Sequence, residues 1–225
     1  VIAYPTDMGL LGLSPEDFFE HVIVQGLSAR AIVEGPNFRF GHRRAGNVHL
    51  LEQMCRNDGL ILEIVPAVID RDAYISSSRV RESIRDGDID AAREMLTQPY
   101  RVRGMITHGA RRGATIGFPT ANLEAVDTLL PALGVYAGRA YWGEGCWPAA
   151  INIGPNPTFD EQAVKFETHL IGFSGSLYGQ PLEVDFLSRL RDIHPFESVD
   201  ELKRQLDADI RSARQLAKRW ERDSQ

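Results

Sequence analysis

A change in sequence pattern near Pro99 divides the chain of 225 residues into two parts. Before this point, helix-like segments alternate with apolar strand candidates at residues 31–33 and 60–65, an order typical of an α/β layered domain. After it, short alternating runs are separated by frequent glycine and proline, which favours an antiparallel barrel. We therefore predict one domain over residues 1–98 and another over residues 99–225. We expect the strand at residues 31–33 to be buried.

Capping residues indicate where the predicted helices begin and end. Ser14 stands before a proline, which is favoured at the first helical position, and Gly87 ends the first of two short helices within residues 78–96. Ser198 begins the closing helix, and Glu201 completes a capping box. Two further N-caps are predicted at Asn47 and Asp88. The closing helix carries an apolar stripe, expected to pack on the core, of Leu202, Leu206, Ile210, Ala213 and Leu216.

Composition narrows the class of protein. Hydrophobic residues make up 43% of the chain, enough for buried cores, and the formal net charge of −6 argues against a general nucleic-acid or membrane-surface binder. Cys55 and Cys146 lie far apart without a partner motif, so neither a disulfide framework nor a zinc site is indicated. No apolar run reaches membrane-spanning length, and the first residues lack the pattern of a signal peptide. We expect a cytoplasmic protein that binds neither nucleic acid nor membrane.

A basic, glycine-rich loop over residues 109–117 is followed by a Phe-Pro-Thr-Ala-Asn turn that ends at Asn122. Glycines allow backbone N–H groups to face an anion, and Arg111 and Arg112 add positive charge. Thr120 and Asn122 offer neutral oxygens that suit a hard cation. The spacing matches neither the P-loop nor the dinucleotide-binding motif. The loop is interpreted as a phosphate-binding segment, and a mobile surface hairpin with solvated charges is the alternative.

Six ordered fragments of the second part resemble the bacterial bifunctional riboflavin kinase/FAD synthetases. They are residues 113–123, 134–137, 152–154 with 157–159, 166–170, 177–179 and 186–191. The resemblance implies a partial Rossmann-like nucleotidyltransferase domain, followed by a six-stranded antiparallel β-barrel riboflavin kinase domain with a C-terminal helix. It also implies transfer of the γ-phosphate of ATP to the ribityl 5′-hydroxyl of riboflavin, which gives FMN. The parent protein would in addition adenylylate FMN to FAD.

The same resemblance assigns roles to residues of the second part. Glu167 would accept the proton of the ribityl hydroxyl, and Thr120 and Asn122 would hold Mg²⁺. The residues expected to cover the ATP phosphates are Gly109, Arg111, Arg112, Gly113 and Gly117. Arg191 and Phe196 are candidates for flavin binding, although anchoring of the final helix is the favoured role of Phe196.

Strand alternation gives the residues around Glu167 a second interpretation. Lys165, Glu167 and His169 share the face opposite Phe166, so Glu167 without the family match would be taken for a solvated charge at a sheet edge. His169 is interpreted as a structural imidazole, although it lies close enough in sequence to orient Glu167. The catalytic assignment of Glu167 therefore depends on the resemblance.

One position of the loop departs from the family pattern. Ala114 stands where the family usually has arginine just after the second glycine of the loop. Arginine side chains are long, and we expect Arg112 to supply the missing phosphate contact. The Arg112→Ala variant would then have a raised KM for ATP.

Two fragments of the first part, residues 35–41 and 75–81, resemble the FMN adenylyltransferase module of the family. The resemblance assigns Ser77, Ser78 and Arg79 to the phosphates of ATP, near a predicted helix N-terminus that favours anions. It also assigns the substrate-binding loop to Asn37 and Arg39. Asn37 replaces the usual aspartate, and the opening strand and histidine-containing nucleotide motif of the family are absent. We therefore expect the chain itself to make little or no FAD.

Two rival functions remain open at this point. A non-catalytic flavin or nucleotide carrier would bind ligand without turnover because of Ala114, although a carrier has no need of Glu167, Thr120 and Asn122. An unrelated barrel interaction module would bind no flavin. The expected partners are the small molecules riboflavin, FMN and ATP, and the expected state is a monomer or weak homo-oligomer.

Overall fold

The computed structural model describes residues 2–109, 112–159 and 161–223. Contacts divide the chain into two units, Val1–Tyr74 and Ile75–Gln225. The helices between residues 75 and 98 therefore group with the barrel by packing. The functional domain boundary after residue 98 stays a prediction.

The first unit contains the predicted βαβ arrangement. Its elements are α1 Met8–Gly12, α2 Pro15–Phe18, the π-helix Phe19–Gly26, β1 Ala31–Glu34, β2 Arg39–Phe40, the 3₁₀ turn His42–Arg44, β3 Gly46–Asn47, α3 Val48–Asp58, β4 Ile61–Ile64, β5 Ile69–Asp70 and β6 Ala73–Tyr74. Strands β1 and β4 pair in parallel, with Ala31 opposite Ile61. The predicted caps are confirmed, because the side chains of Ser14 and Asn47 accept from the backbone N–H groups of Asp17 and Leu50.

The prediction of a buried strand at residues 31–33 is wrong. Val33 is 59% exposed and Ile61 on the neighbouring strand is 68% exposed, whereas Ile32 and Leu62 pack against the core that contains Phe19. Strand side chains alternate between the two faces of a sheet. In the described residues the core covers only the face of this two-stranded sheet that carries Ile32 and Leu62, so the face with Val33 and Ile61 is exposed.

The second unit begins with two helices, α4 Ser77–Asp86 and α5 Ile89–Leu96, which confirm the predicted break. Gly87 adopts φ +77° between them, and Asp88 accepts from the N–H of Ala91 at 3.0 Å. Arg93 on α5 donates to the carbonyl of Leu187 at 3.1 Å, in the last strand of the barrel. This bond and the burial of Ile89 and Ala92 on α5 dock the helix pair on the barrel.

The second unit continues as a closed six-stranded barrel, as predicted. Its strands are β7 Tyr100–Thr107, β8 Ala121–Glu124, β9 Gly134–Trp142, β10 Gly145–Asn156, β11 Glu161–Leu170 and β12 Pro181–Arg191. All neighbours are antiparallel, in the closed order β10-β11-β8-β7-β12-β9. Alternate side chains fill the interior, including Val102, Ile151 and Phe166. Gly138 brings β9 so close to the carbonyl of Asp185 that a Cβ there would overlap it.

Helix α7 Val199–Asp223 closes the chain and packs on the outside of the barrel. Ser198 accepts from the N–H of Glu201 at 3.2 Å, which confirms the predicted cap. The Glu201 carboxylate accepts at 3.1 Å from the N–H of Glu197, one residue before the position that a capping box uses. The predicted stripe is confirmed as packing, since Leu202 and Ala213 are buried and Ile210 contacts the cluster around Ala213.

Candidate active site

A cavity of about 140 Å³ lies between the outer face of β10 and β11 and helix α7. The polar residues of its wall include Thr120, Asn152, Asn156, Lys165, Glu167 and Arg191. The apolar residues include Ile116, Val135, Ile193, Leu202, Leu206 and Ile210. The cavity therefore joins an apolar wall to a small number of convergent polar groups, as ligand pockets do.

Glu167 lies near the middle of β11, on the cavity side, whereas Phe166 and Thr168 on either side of it are buried in the barrel. Its direct neighbours across the sheet are Asn152 on β10 and Asn122 on β8. A closed barrel has no edge strands, so the interpretation of Glu167 as a solvated edge charge is wrong.

Asn156 fixes the orientation of this carboxylate. Its Nδ2 donates to Oε2 of Glu167 at 2.9 Å, and both residues line the cavity. The chain reaches this position because β10 and β11 pair through a register shift between Gly154 and Asn156. In the described contacts Glu167 is therefore held by a neutral donor.

His169 supports the turn beside the cavity. Its Nδ1 lies 2.7 Å from the carbonyl oxygen of Pro119, which can only accept, so Nδ1 carries the proton. The ring of Phe118 meets the imidazole edge-on at a centroid distance of 6.3 Å. These contacts agree with the predicted structural role of His169, next to Thr120.

The predicted phosphate loop borders the cavity. Gly113 and Thr120 line the cavity, and part of the predicted loop forms a short helix, α6 Arg112–Thr115. Gly117 adopts φ +96° after this helix. A Cβ at Gly113 would overlap the carbonyl oxygen of Phe118, so the turn requires glycine here. Arg111 lies outside the described residues, and of Arg112 the structure describes only the backbone.

Of the two residues expected to hold a metal ion, Thr120 lines the cavity. In the described structure Asn122 is not among the lining residues, but it pairs directly across the sheet with Glu167. The amide of Asn122 packs against Gly109, where a Cβ would overlap it. In the described ranges, no group of three or more His, Cys, Asp or Glu side chains could hold a metal ion. Neutral oxygens beside one carboxylate suit a hard cation that also takes phosphate oxygens, so these residues fit Mg²⁺.

The two predicted flavin residues line the same cavity. Arg191 at the end of β12 pairs with Asp209 on α7, and its guanidinium carbon lies 5.5 Å from the centroid of the Phe196 ring. The backbone N–H of Phe196 donates to the hydroxyl of Thr158 at 3.2 Å. Phe196 therefore lines the cavity and at the same time ties the segment before α7 to the barrel.

Sequence reasoning missed several residues of the cavity wall. Asn152 and Asn156 fall within or beside a fragment that resembles the family, but no spacing rule connects them with Glu167. Asp209 follows Leu202 by seven residues and so lies within the apolar stripe of α7. A carboxylate inside an apolar stripe is unusual, and this signal was available in the sequence.

The residues assigned to the adenylyltransferase lie in separate units. Asn37 and Arg39 are exposed in the first unit. The other three belong to the first turn of α4 in the second unit, where Ser77 and Ser78 are exposed and Arg79 is half-buried. The cap of α4 is Ser76, whose hydroxyl accepts from the N–H of Arg79 at 3.3 Å. The roles assigned to all five residues stay predictions.

Comparison with family models and relatives agrees with the two-part organisation. The riboflavin kinase model matches residues 96–217, and the FAD synthetase model matches residues 1–79. A bifunctional riboflavin kinase/FMN adenylyltransferase from Haemophilus influenzae is 34% identical over 88% of this chain and 64% of the relative. Enzymes of the same name from Pseudomonas fluorescens and Escherichia coli K12 are 32% identical over 96% of this chain, and the matches cover 70% and 69% of them. The chain thus spans about two thirds of the length of these relatives.

A solved structure agrees with the fold. A crystal structure described as a macrolide-efflux protein from Streptococcus pneumoniae has a TM-score of 0.81 and 34% identity, over 92% of this chain and 67% of that one. Within the part of this chain that the structure describes, no helix combines the length and apolar character needed to cross a membrane. The matches in sequence give the assignment: this chain belongs to the family of bifunctional riboflavin kinase/FMN adenylyltransferases, and its second part is a riboflavin kinase domain.

Proposed function

We propose that the cavity between the barrel and α7 is where the γ-phosphate of ATP is transferred to the 5′-hydroxyl of riboflavin. One observation carries this proposal. Glu167, oriented by Asn156, lines the same cavity as Gly113 and Thr120 of the glycine-rich segment. A carboxylate beside a phosphate-binding turn is the arrangement that phosphoryl transfer to a hydroxyl requires.

In this proposal Glu167 is the base. The 5′-oxygen of riboflavin forms a bond to the γ-phosphorus, the bond from that phosphorus to the β,γ-bridging oxygen breaks, and the hydroxyl proton passes to Glu167. Asn156 donates to Oε2, which leaves Oε1 to accept the proton. The products are FMN and ADP.

The glycine-rich segment and the metal residues position the phosphates. Thr120 and Asn122 would hold Mg²⁺, which when bound neutralises phosphate charge. Gly109, Gly113 and Gly117 keep the backbone of the segment free of side chains next to the phosphates. The arginines Arg111 and Arg112 would add charge, with Arg112 compensating for Ala114.

The apolar wall and the Arg191–Phe196 pair would hold the flavin ring. The ring is planar and largely apolar with polar edges, which suits a wall of aliphatic side chains from α7, such as Leu206 and Ile210, with one guanidinium at its rim. Helix α7 would thereby exclude water from one side of the bound flavin.

The first part would contribute adenylylation of FMN to FAD in the complete protein, through Asn37, Arg39, Ser77, Ser78 and Arg79. Net charge bears on the choice of partner. A net charge of −6 favours small-molecule partners over nucleic acid. We propose a cytoplasmic monomer or weak homo-oligomer.

The test is to incubate the purified chain with riboflavin, ATP and Mg²⁺ and to separate riboflavin, FMN and FAD by chromatography. FMN formation that depends on ATP is the expected result. Binding of riboflavin without turnover would support a carrier instead, and absence of binding would remove the flavin assignment. A FAD peak would show that the first part of this chain is competent in adenylylation.

The Asn122→Ala variant tests the metal residues. Removal of one oxygen ligand is expected to raise the Mg²⁺ concentration needed for half-maximal activity by at least about 10-fold. The matched control is Asn152→Ala, because Asn152 is the other cross-strand neighbour of Glu167 and is assigned no metal contact. Whatever its effect on kcat, this control should leave the Mg²⁺ dependence unchanged. An equal dependence of activity on Mg²⁺ in the wild type and in Asn122→Ala would exclude Asn122 as a ligand of Mg²⁺.

A further inference from the structure

A buried ion pair joins the end of β12 to α7 at the wall of the cavity. Asp209 on α7 is 4% exposed, and it accepts from Nε of Arg191 at 3.1 Å and from Nη2 at 2.9 Å. Gln205, one turn earlier on α7, donates to the same carboxylate at 2.8 Å. The carboxylate is thus held on both oxygens, and Arg191 cannot rotate without breaking two charge-assisted hydrogen bonds.

The bonds of Arg191 leave part of its guanidinium available. A guanidinium carries five N–H groups in a fixed planar fork. Described contacts account for three of them, namely the two to Asp209 and one from Nη1 to the carbonyl of Asp192 at 3.0 Å. Arg191 also lines the cavity, and we take its other two N–H groups as the donors for a bound ligand.

Asp209 is the one acidic residue among the α7 side chains that line the cavity in the described structure. Its companions on this face are Leu202, Leu206 and Ile210. A buried ion pair is often no more stable than well-packed apolar residues of similar size, so stability alone is a weak reason for a carboxylate here. The Asp209–Arg191 pair also has no net charge. It therefore presents directed N–H donors to the cavity without an added attraction for anions.

We propose that Asp209 is a positioning residue for the flavin: it holds Arg191 so that the remaining N–H groups donate to the carbonyl oxygens of the flavin ring. This inference rests on the proposed function. Riboflavin is uncharged, and it gains from fixed donors at the rim of an apolar wall. In the proposed function the glycine-rich segment, and not Arg191, binds ATP, so Asp209 acts on flavin affinity and not on ATP affinity.

The experiment is a titration of riboflavin with the Asp209→Asn variant at low temperature. Binding is measured by the quenching of flavin fluorescence. Loss of one directed hydrogen bond is expected to raise the Kd for riboflavin about 10-fold. The Kd for lumiflavin, which has the ring without the ribityl chain, should rise by the same factor. The KM for ATP should remain close to the wild-type value.

The matched control is Asp185→Asn. Asp185 is a buried carboxylate on the same strand as Arg191, it binds Arg101 through two hydrogen bonds, and it does not line the cavity. Its neutralisation disrupts a larger buried network, which also includes Arg139 and Tyr141, so a general loss of rigidity would weaken flavin binding in this variant as well. Only Asp209→Asn should weaken it if Asp209 positions Arg191.

A double variant separates positioning from a purely structural role. In the Arg191→Ala background, Asp209→Asn should cause no further loss of riboflavin affinity. The conservative Asp209→Glu variant keeps the charge pair and the fold but displaces the guanidinium, and it should show an intermediate Kd. An unchanged Kd in folded Asp209→Asn or Asp209→Glu, or independent losses in the double variant, would overturn the inference. Failure of the wild-type chain to bind riboflavin would instead remove the proposed function.

Discussion

Glu167→Gln is expected to lower kcat for FMN formation by about 10²–10⁴-fold, because a positioned general base contributes this factor to proton transfer. The amide keeps the size of the side chain and can still contact Asn156, but it cannot take the hydroxyl proton. The KM for riboflavin and for ATP should change little. Single-turnover measurement of FMN formation, with both substrates saturating, reports this loss directly.

The control for Glu167 is a glutamate outside the cavity. Glu183 lies on β12 of the same barrel, is partly exposed and pairs with Arg101 at 3.1 Å. Glu183→Gln should leave kcat unchanged. A Glu167→Gln enzyme with a rate close to wild type would show that the carboxylate only orients the substrate, and the proposed mechanism would need another base.

Asp185→Asn is expected to produce the largest loss of stability. The Asp185 side chain is 2% exposed, and its oxygens accept from Arg101 at 2.6 Å and 3.0 Å, from Arg139 at 3.2 Å and from the hydroxyl of Tyr141 at 2.8 Å. Burial and the hydrogen bond to Asp185 raise the pKa of Tyr141, so the phenol stays a donor. Neutralising one partner of a buried pair leaves the other charges uncompensated, which costs about 3–5 kcal/mol.

Thermal unfolding of the barrel, followed by circular dichroism, measures this loss. At roughly 2–4 °C per kcal/mol for a chain of this size, the Tm should fall by about 10 °C. The matched control is Asp192→Asn, because its carboxylate pairs with Arg189 at 2.8 Å but is 84% exposed. Surface pairs contribute at most about 1 kcal/mol, so this control should unfold near the wild-type temperature. Equal Tm values for the two variants would mean that the Asp185 network contributes no more than a surface pair.

Local rules were enough for several elements of the fold. The N-caps at Ser14, Asn47, Asp88 and Ser198, and the helix end at Gly87, were predicted correctly. A cap depends on a side chain and an N–H group two or three residues away, so a short stretch of sequence contains the whole interaction. The alternation in β11 likewise placed Glu167 opposite Phe166 without knowledge of the neighbouring strands.

Other features depended on contacts between distant residues. The exposure of Val33 depends on how many layers cover the sheet, and the apolar sequence of the strand contains no information about those layers. The π-helix Phe19–Gly26 was missed because the capping and apolar pattern of its sequence also fits an α-helix. The sequence pattern of the helices at residues 77–96 resembles that of the first part. They nevertheless pack on the barrel, through Arg93 and Ile89.

The sequence by itself determined several helix boundaries, the choice of a barrel and, through family motifs, Glu167, Thr120 and Asn122 as candidates. Only the tertiary structure decided which side chains meet. Asn156 reaches Glu167 through a shift in strand register, and Asp209 reaches Arg191 because α7 docks across β9 and β10. The physical reason is the sequence separation of the interacting residues. Caps and strand alternation depend on near neighbours in the chain, whereas strand register and helix docking are set by packing of the whole unit.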